Sequence, residues 1–221
     1  MQGGSGGEGT AAPAAQPPSP PRLLVVDWPT YHQLIERLVV QVHASGYAFD
    51  SLLCLARGGL RVGDVMSRVY EVPLSILSTS SYREAGGTKA GALDIARFIT
   101  GTGAEPHGRV LLVDDLVDSG VTLARVVEHL RERFAGIREI RTAVLWYKVC
   151  SSVVPDYFVE QLDDNPWIQQ PFEHYDQLRP AELARALAAR LPSNLAVQAV
   201  KEPVPDRADG AQERTRTSTS V

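Results

Sequence analysis

The stretch Val110-Leu111-Leu112-Val113-Asp114-Asp115-Leu116-Val117-Asp118-Ser119-Gly120-Val121-Thr122 decides the fold. Four apolar residues without a break predict a strand buried on both faces. Two adjacent carboxylates follow at its C-terminal end. Then come an apolar pair, a third carboxylate, and Ser-Gly-Val-Thr opening a helix over 123–133. In an open parallel sheet, ligands bind beyond the carboxyl ends of the strands. A helix entry built from Ser, Gly and Thr offers free backbone N–H groups and partial positive charge to a phosphate. Acids suited to sugar hydroxyls therefore stand a few residues from amides suited to a phosphate, and a phosphorylated ribose needs that combination. For such a loop alone there is a plainer alternative. An acidic pair after a strand can be a solvated turn, and Asp-Ser-Gly an ordinary helix entry. The rest of the chain has to decide.

Upstream, Asp27 can cap a helix whose early Pro29 is tolerated because its missing N–H would have no partner. Leu34, Ile35, Leu38, Val39 and Val42 keep helical spacing towards Gly46. Asp50 to Leu55 predicts a short buried strand, followed by Ala56-Arg57-Gly58-Gly59 and a helix to about Val69. This strand also ends in a Gly-rich turn at a helix N-terminus, now with an arginine, which is a second candidate anion site. Taken alone, a plain strand-to-helix turn is the simpler account of it. Pro73 to Ser78 predicts another strand. Residues 80–91 (Ser-Ser-Tyr-Arg-Glu-Ala-Gly-Gly-Thr-Lys-Ala-Gly) form a long polar connection of the kind that is usually a functional lid or unstructured. Leu93 to Thr100 is expected to return from it as a strand.

Downstream, Ile140 to Tyr147 predicts a strand ending at Lys148, then Tyr157 to Leu162 another. The cluster Asp163-Asp164-Asn165-Pro166-Trp167-Ile168-Gln169-Gln170-Pro171-Phe172-Glu173 comes next, and an Ala/Leu-rich helix spans 181–191. Alternating strands and helices imply an α/β fold, a mostly parallel twisted sheet flanked by helices. Composition predicts an unstructured Gly/Ala/Pro/Ser arm over 1–22, a folded domain over 23–192 and a polar, charged tail over 193–221.

The 221 residues are 44% hydrophobic and 22% charged, as in globular domains. A net charge of −4 and a pI near 5.7 exclude a general nucleic-acid footprint. No apolar run reaches the roughly 18 residues of a membrane span. No basic segment followed by an apolar one opens the chain, so no signal peptide is expected. Cys54 and Cys150 lie in apolar, strand-like runs and are expected to be core thiols in a reducing cytoplasm.

Five separated pieces agree with one family. They are Ala-Arg-Gly-Gly at 56–59, Ser-Ser-Tyr at 80–82, Asp-Asp-Leu-Val-Asp-Ser-Gly at 114–120, Lys148, and Trp-Ile-Gln-Gln-Pro-Phe-Glu at 167–173. Residues 23–176 resemble a type I phosphoribosyltransferase of the 6-oxopurine branch, most of all the bacterial xanthine-guanine enzymes. The resemblance implies that family's α/β fold with a small hood, and transfer of 5-phosphoribose from phosphoribosyl pyrophosphate to guanine, xanthine or hypoxanthine with Mg²⁺. It implies that Asp114 and Asp115 hold the ribose hydroxyls, with Asp115 beside the metal. Asp118 is implied as the acid/base group facing purine N7. Ser119, Gly120, Val121 and Thr122 would cradle the 5′-phosphate. Arg57, Gly58 and Gly59 would bind pyrophosphate, with Ser81 and Tyr82 closing over it as part of a lid. The peptide entering Arg57 is often cis in this family.

For the base, the resemblance implies stacking by Trp167, donation from Lys148 to the 6-oxo oxygen, acceptance by the Ile168 carbonyl from a 2-amino group, and an acid, Glu173, near the metal or purine. The simpler alternatives are a core tryptophan and a solvated strand-end lysine. Gln169 stands where the bacterial enzymes carry Glu, and Phe172 and Glu173 where they carry Trp and Asp. These departures lie beside the 2-position, where the candidate bases differ. Homodimers or homotetramers are common in the family, and neither a membrane nor a nucleic-acid partner is expected. A second hypothesis is a non-catalytic regulator that senses phosphoribosyl pyrophosphate with the same fold. Regulators of that kind usually add a nucleic-acid-binding element, and no helix-turn-helix pattern or basic patch is visible here.

Overall fold

The computed structural model describes residues 22–83, 90–101, 103 and 105–190, with the backbone alone for 81–83 and 90–92. The chain divides into two compact units, one ending at Pro171 and one beginning at Phe172. Most of the expected arm and tail, 1–21 and 191–221, lies outside the described residues.

The first unit runs β1 (Leu23–Val25), α1 (Trp28–Ala44), β2 (Ser51–Ala56), α2 (Leu60–Tyr70), β3 (Leu74–Arg83), β4 (Ala90–Ile95), β5 (Thr100–Gly101), β6 (Gly108–Val113), β7 (Leu116–Val117), α3 (Val121–Arg133), β8 (Ile137–Lys148), β9 (Tyr157–Leu162) and β10 (Trp167–Gln169). The second unit holds a 3₁₀ turn, Glu173–Asp176, and α4 (Pro180–Arg190).

Strands β3, β2, β6 and β8 lie side by side in parallel, with β7 and β9 also parallel to β8. The strand from the deciding stretch, β6, is therefore central. Val110 to Val113 are all fully buried, as a strand covered on both faces requires. Alternate residues face opposite helices. Leu53, Leu55 and Leu112 join Leu123, Val126 and Leu130 of α3 in one core. On the other face, the bare Cα of Gly63 in α2 lets Cys54 approach: a Cβ there would meet the Cys54 Cβ at 2.8 Å. Asp27 caps α1 by accepting from the Thr30 N–H at 2.8 Å, and a proline stands in the first turn, as expected.

Three expectations need correction. Residues 80–83 continue β3, and β4 starts at Ala90 and pairs antiparallel with it. The connection is thus a hairpin arm, and only residues 84–89 of the expected lid lie outside the described structure. The long strand expected over 93–100 is instead the end of β4 and the separate two-residue β5, because Arg97 and Phe98 bend the chain between them. Cys150 is exposed in the turn after β8, since the apolar run ends at Tyr147 and the chain reverses there. Cys54 is buried, and both cysteines are free thiols.

The small parallel sheet that β1 makes with β10 has no counterpart among the sequence expectations. Leu24 pairs with Ile168, and the Val26 N–H donates to the Gln169 carbonyl at 3.0 Å. An Arg22–Asp164 ion pair closes its end.

Candidate active site

At the C-terminal ends of β2 and β6 lies a cleft of about 420 Å³. Arg57, Gly58, Thr79, Asp114, Asp115, Asp118, Ser119, Gly120 and Thr122 line it. Residues from three separated stretches of sequence thus converge where a parallel sheet binds ligands.

The chain leaves β6 at Asp114, turns, and rejoins the sheet as β7. The Asp115 carbonyl accepts from the N–H groups of Leu145 (2.9 Å) and Trp146 (3.2 Å), which wedges the acidic pair into the sheet end. Asp114 Oδ1 accepts from the Asp115 N–H at 2.9 Å. Asp115 Oδ1 accepts from the Leu116 N–H at 2.8 Å, and its Oδ2 accepts from the Gln170 side-chain amide at 2.5 Å. Burial pushes both carboxyls above the ordinary range, and for Asp114 the neighbouring Asp115 charge adds to this. Tyr31 of α1 lies nearby; burial, then the Asp115 charge, raises its phenol.

The Gly-rich turn at 57–59 is shaped by this pair. A Cβ on Gly58 would overlap the Asp115 carboxylate, and one on Gly59 would stand 2.6 Å from the Val113 carbonyl oxygen. Only glycine lets that turn lie against the acids. The Ala56–Arg57 peptide is cis.

On the far side of the cleft, Gly120 caps α3 with φ +81°. A Cβ there would overlap Ser151 Oγ and stand 2.9 Å from the Val153 nitrogen. The turn after β8 supports the loop from behind: the Ser152 N–H and hydroxyl both donate to the Ser119 carbonyl. Ser119, Gly120 and Thr122 line the cleft, whereas the Val121 side chain is exposed and does not. Val121 can contribute there through its backbone alone.

Lys148, at the end of β8, is only 7% exposed. Its ammonium lies 3.2 Å from Asp118 Oδ1 and donates to Asn165 Oδ1 at 2.8 Å. A solvated strand-end lysine is thereby ruled out. Trp167 is 54% exposed on β10 and is no core residue, while the Ile168 side chain is buried beside it. Ser81 and Tyr82 stand on β3. Glu173 opens the 3₁₀ turn of the second unit, and the site geometry above belongs to the first unit alone.

Sequence reasoning assigned no role to Thr79, Asn165 or Gln170. Asn165 and Gln170 fall in the cluster at 163–173, but nothing local marks which of its side chains turn inward. Among the described residues, no group of three or more His, Cys, Asp or Glu could hold a metal. Two adjacent carboxylates beside an open cleft remain, which suits Mg²⁺: it is commonly held by one or two carboxylates together with substrate oxygens.

A cleft with this loop pair at the ends of the central strands has the donors and acceptors that a phosphorylated sugar requires. The chain matches the phosphoribosyl transferase domain over residues 25–177. It belongs to the phosphoribosyltransferase family, as an enzyme of the type I α/β form in the branch that holds the purine phosphoribosyltransferases. The purine phosphoribosyltransferase of Pyrococcus horikoshii is 30% identical, with 68% of this chain and 93% of that one covered and a TM-score of 0.55. Two further structures share the fold. The xanthine-guanine-hypoxanthine phosphoribosyltransferase of Helicobacter pylori is 24% identical, covering 70% and 96% of the two chains with a TM-score of 0.58. A hypothetical protein from Neisseria gonorrhoeae, solved with bound ppGpp, is 20% identical, covering 78% and 99% with a TM-score of 0.55. Among the described residues, no helix is long and apolar enough to cross a membrane.

Proposed function

We propose that this enzyme transfers 5-phosphoribose from phosphoribosyl pyrophosphate to a 6-oxopurine, releasing pyrophosphate and a nucleoside 5′-monophosphate in cytoplasmic purine salvage. The observation that carries this reading is the buried Lys148 ammonium facing Asp118 at 3.2 Å. It sets a donor for a 6-oxo oxygen beside a carboxylate for the N7 proton. Both groups belong to one edge of a 6-oxopurine. Trp167, half exposed two residues beyond Asn165, offers a face on which a base can stack.

The ribose hydroxyls would bind the Asp114 and Asp115 carboxylates, since charged acceptors make the stronger hydrogen bonds. The 5′-phosphate would sit on the amides of Ser119 to Thr122 at the start of α3. Pyrophosphate would leave against Arg57 and the amides of Gly58 and Gly59. Asp115, with the ribose oxygens, would hold Mg²⁺, which supplies positive charge to the leaving pyrophosphate. As the C1′–O bond breaks, positive charge develops on the sugar and negative charge on the leaving group, and Arg57 stabilises the latter. The base nitrogen then bonds to C1′, and Asp118 manages the proton at N7. Water would capture the sugar cation, so the hairpin of β3 and β4, bearing Ser81 and Tyr82, is proposed to close over the cleft. All of these groups fall within the single domain proposed over 23–192.

The test is pyrophosphate release with a panel of purines. Lysine has three donors and no acceptor. Adenine would set an N–H₂ donor against the buried ammonium, whereas a 6-oxo group would accept from it. Sites built on such a bond reject the wrong partner by up to about 10⁴–10⁵-fold. Guanine, xanthine or hypoxanthine should turn over and adenine hardly at all, and the panel ranks the three. Lys148→Ala should lower kcat/KM for the base with little effect on phosphoribosyl pyrophosphate affinity. Efficient use of adenine would overturn the reading.

A further inference from the structure

Gln170 does not line the cleft but touches Asp115, which does, and the reaction scheme leaves it unused. It is 4% exposed, and its Nε2 donates to Asp115 Oδ2. Its Oε1 is fully buried and accepts no hydrogen bond among the described residues. Exchanging the two amide atoms would set an oxygen against a carboxylate and bury an NH₂ group instead, so the donor assignment stands for an ionised Asp115. An apolar side chain would suit so buried a position better, because an unmatched buried acceptor is destabilising.

The surroundings show what this misfit serves. Asp115 Oδ1 is tied to the N–H of the next residue, so that bond only fixes the carboxylate to its own turn. The bond from Gln170 to Oδ2 comes from a different part of the chain, 55 residues away. Gln170 directly follows β10, which is anchored to β1 through the pairs Leu23–Trp167, Leu24–Ile168 and Val25–Gln169. The Gln170 amide is therefore mounted on a fixed strand. From it the amide reaches the carboxylate oxygen that the turn's own hydrogen bond does not hold.

We infer that Gln170 is a positioning residue: it holds the Asp115 carboxylate in the orientation that takes Mg²⁺ and the ribose hydroxyls, at the expense of a buried unmatched oxygen. This rests on the proposed binding of phosphoribosyl pyrophosphate with Mg²⁺ at Asp115. Groups that orient a metal-binding carboxylate typically change metal affinity or activity by about 10–100-fold when removed.

The experiment uses the full chain with Gln170→Met and Gln170→Leu, both of which fill the site without a donor. Binding of phosphoribosyl pyrophosphate is measured by calorimetry across a Mg²⁺ series, alongside Tm and the KM for the purine. Expected are a Tm equal to or above wild type, a Mg²⁺-dependent affinity lowered by about 10–100-fold, and a purine KM that hardly moves. A merely structural role would instead lower Tm and shift both substrates together. That result in both variants overturns the inference, as does unchanged affinity. If the wild type itself binds no phosphoribosyl pyrophosphate with Mg²⁺, the proposed function fails, and this inference with it. Binding by the wild type with indifferent variants sinks the inference alone.

Discussion

Replacing Asp114 with asparagine should make the protein more stable and less functional, with a pH signature that identifies the cause. Burial, then the charge of Asp115, holds the Asp114 carboxyl well above its ordinary value. Asparagine has the shape of the protonated acid. Its Oδ1 can keep accepting from the Asp115 N–H, which now lies 2.9 Å from Asp114 Oδ1, and it brings no charge beside Asp115. A carboxyl raised in the folded state binds its proton more tightly there than in the unfolded chain. Its contribution to stability is complete below the unfolded value of about 4 and is lost as pH rises through the folded one. The Asp114→Asn protein lacks that loss, so it should exceed wild type at pH 7.5 and converge with it near pH 4. Relieving such a site typically contributes about 0.5–2 kcal/mol. For a domain of roughly 150–250 residues this raises Tm by about 1–8 °C. Losing a charged acceptor for a ribose hydroxyl removes about 1.5–3 kcal/mol, a fall of roughly 10–150-fold in phosphoribosyl pyrophosphate affinity. Thermal scans at pH 4 and 7.5 with ligand titration measure both. A lower Tm at pH 7.5, or an equal advantage at both pH values, would refute the argument.

Gly58→Ala places a methyl group inside the van der Waals envelope of the Asp115 carboxylate. The acid must then turn away, so phosphoribosyl pyrophosphate affinity should fall at least tenfold by calorimetry, while circular dichroism still reports a folded protein. Deleting 1–21 and 200–221, segments of Gly/Ala/Pro/Ser and of polar and charged character, should leave Tm and turnover within error of the full chain. A loss of several degrees would place part of the domain outside 23–192.

The deciding stretch could be read because its signals are local. An unbroken apolar run can be buried on both faces only as a central strand, and Val110 to Val113 are buried in that way. The residues after such a strand face the ligand side of a parallel sheet, which puts Asp114, Asp115 and Asp118 in the cleft. Gly120 reads in the sequence only as part of a helix entry, and the structure adds that its left-handed backbone and its contact with the 151–153 turn admit no side chain. The polar character of 80–91 misled for the same local reason. Ser80 to Arg83 carry no apolar alternation, yet their backbone pairs with β4, and backbone pairing leaves no signature in side-chain pattern.

What local pattern cannot carry is the identity of a partner far along the chain. Lys148 ends a strand, and by composition alone it belongs in solvent. It is buried because Asn165 and Asp118, 17 residues ahead of it and 30 behind, bring an acceptor and a charge to one ammonium. Neither of those residues is unusual in its own surroundings. Gln170 is harder still. In its own segment it is one of two adjacent glutamines, and only the register of β10 on β1 turns this one inward to the acid. Gln169, its neighbour, is exposed. A one-residue slip in that pairing would exchange their faces. The orientation of Asp115 thus depends on a three-residue strand whose pairing nothing in residues 167–169 specifies by itself.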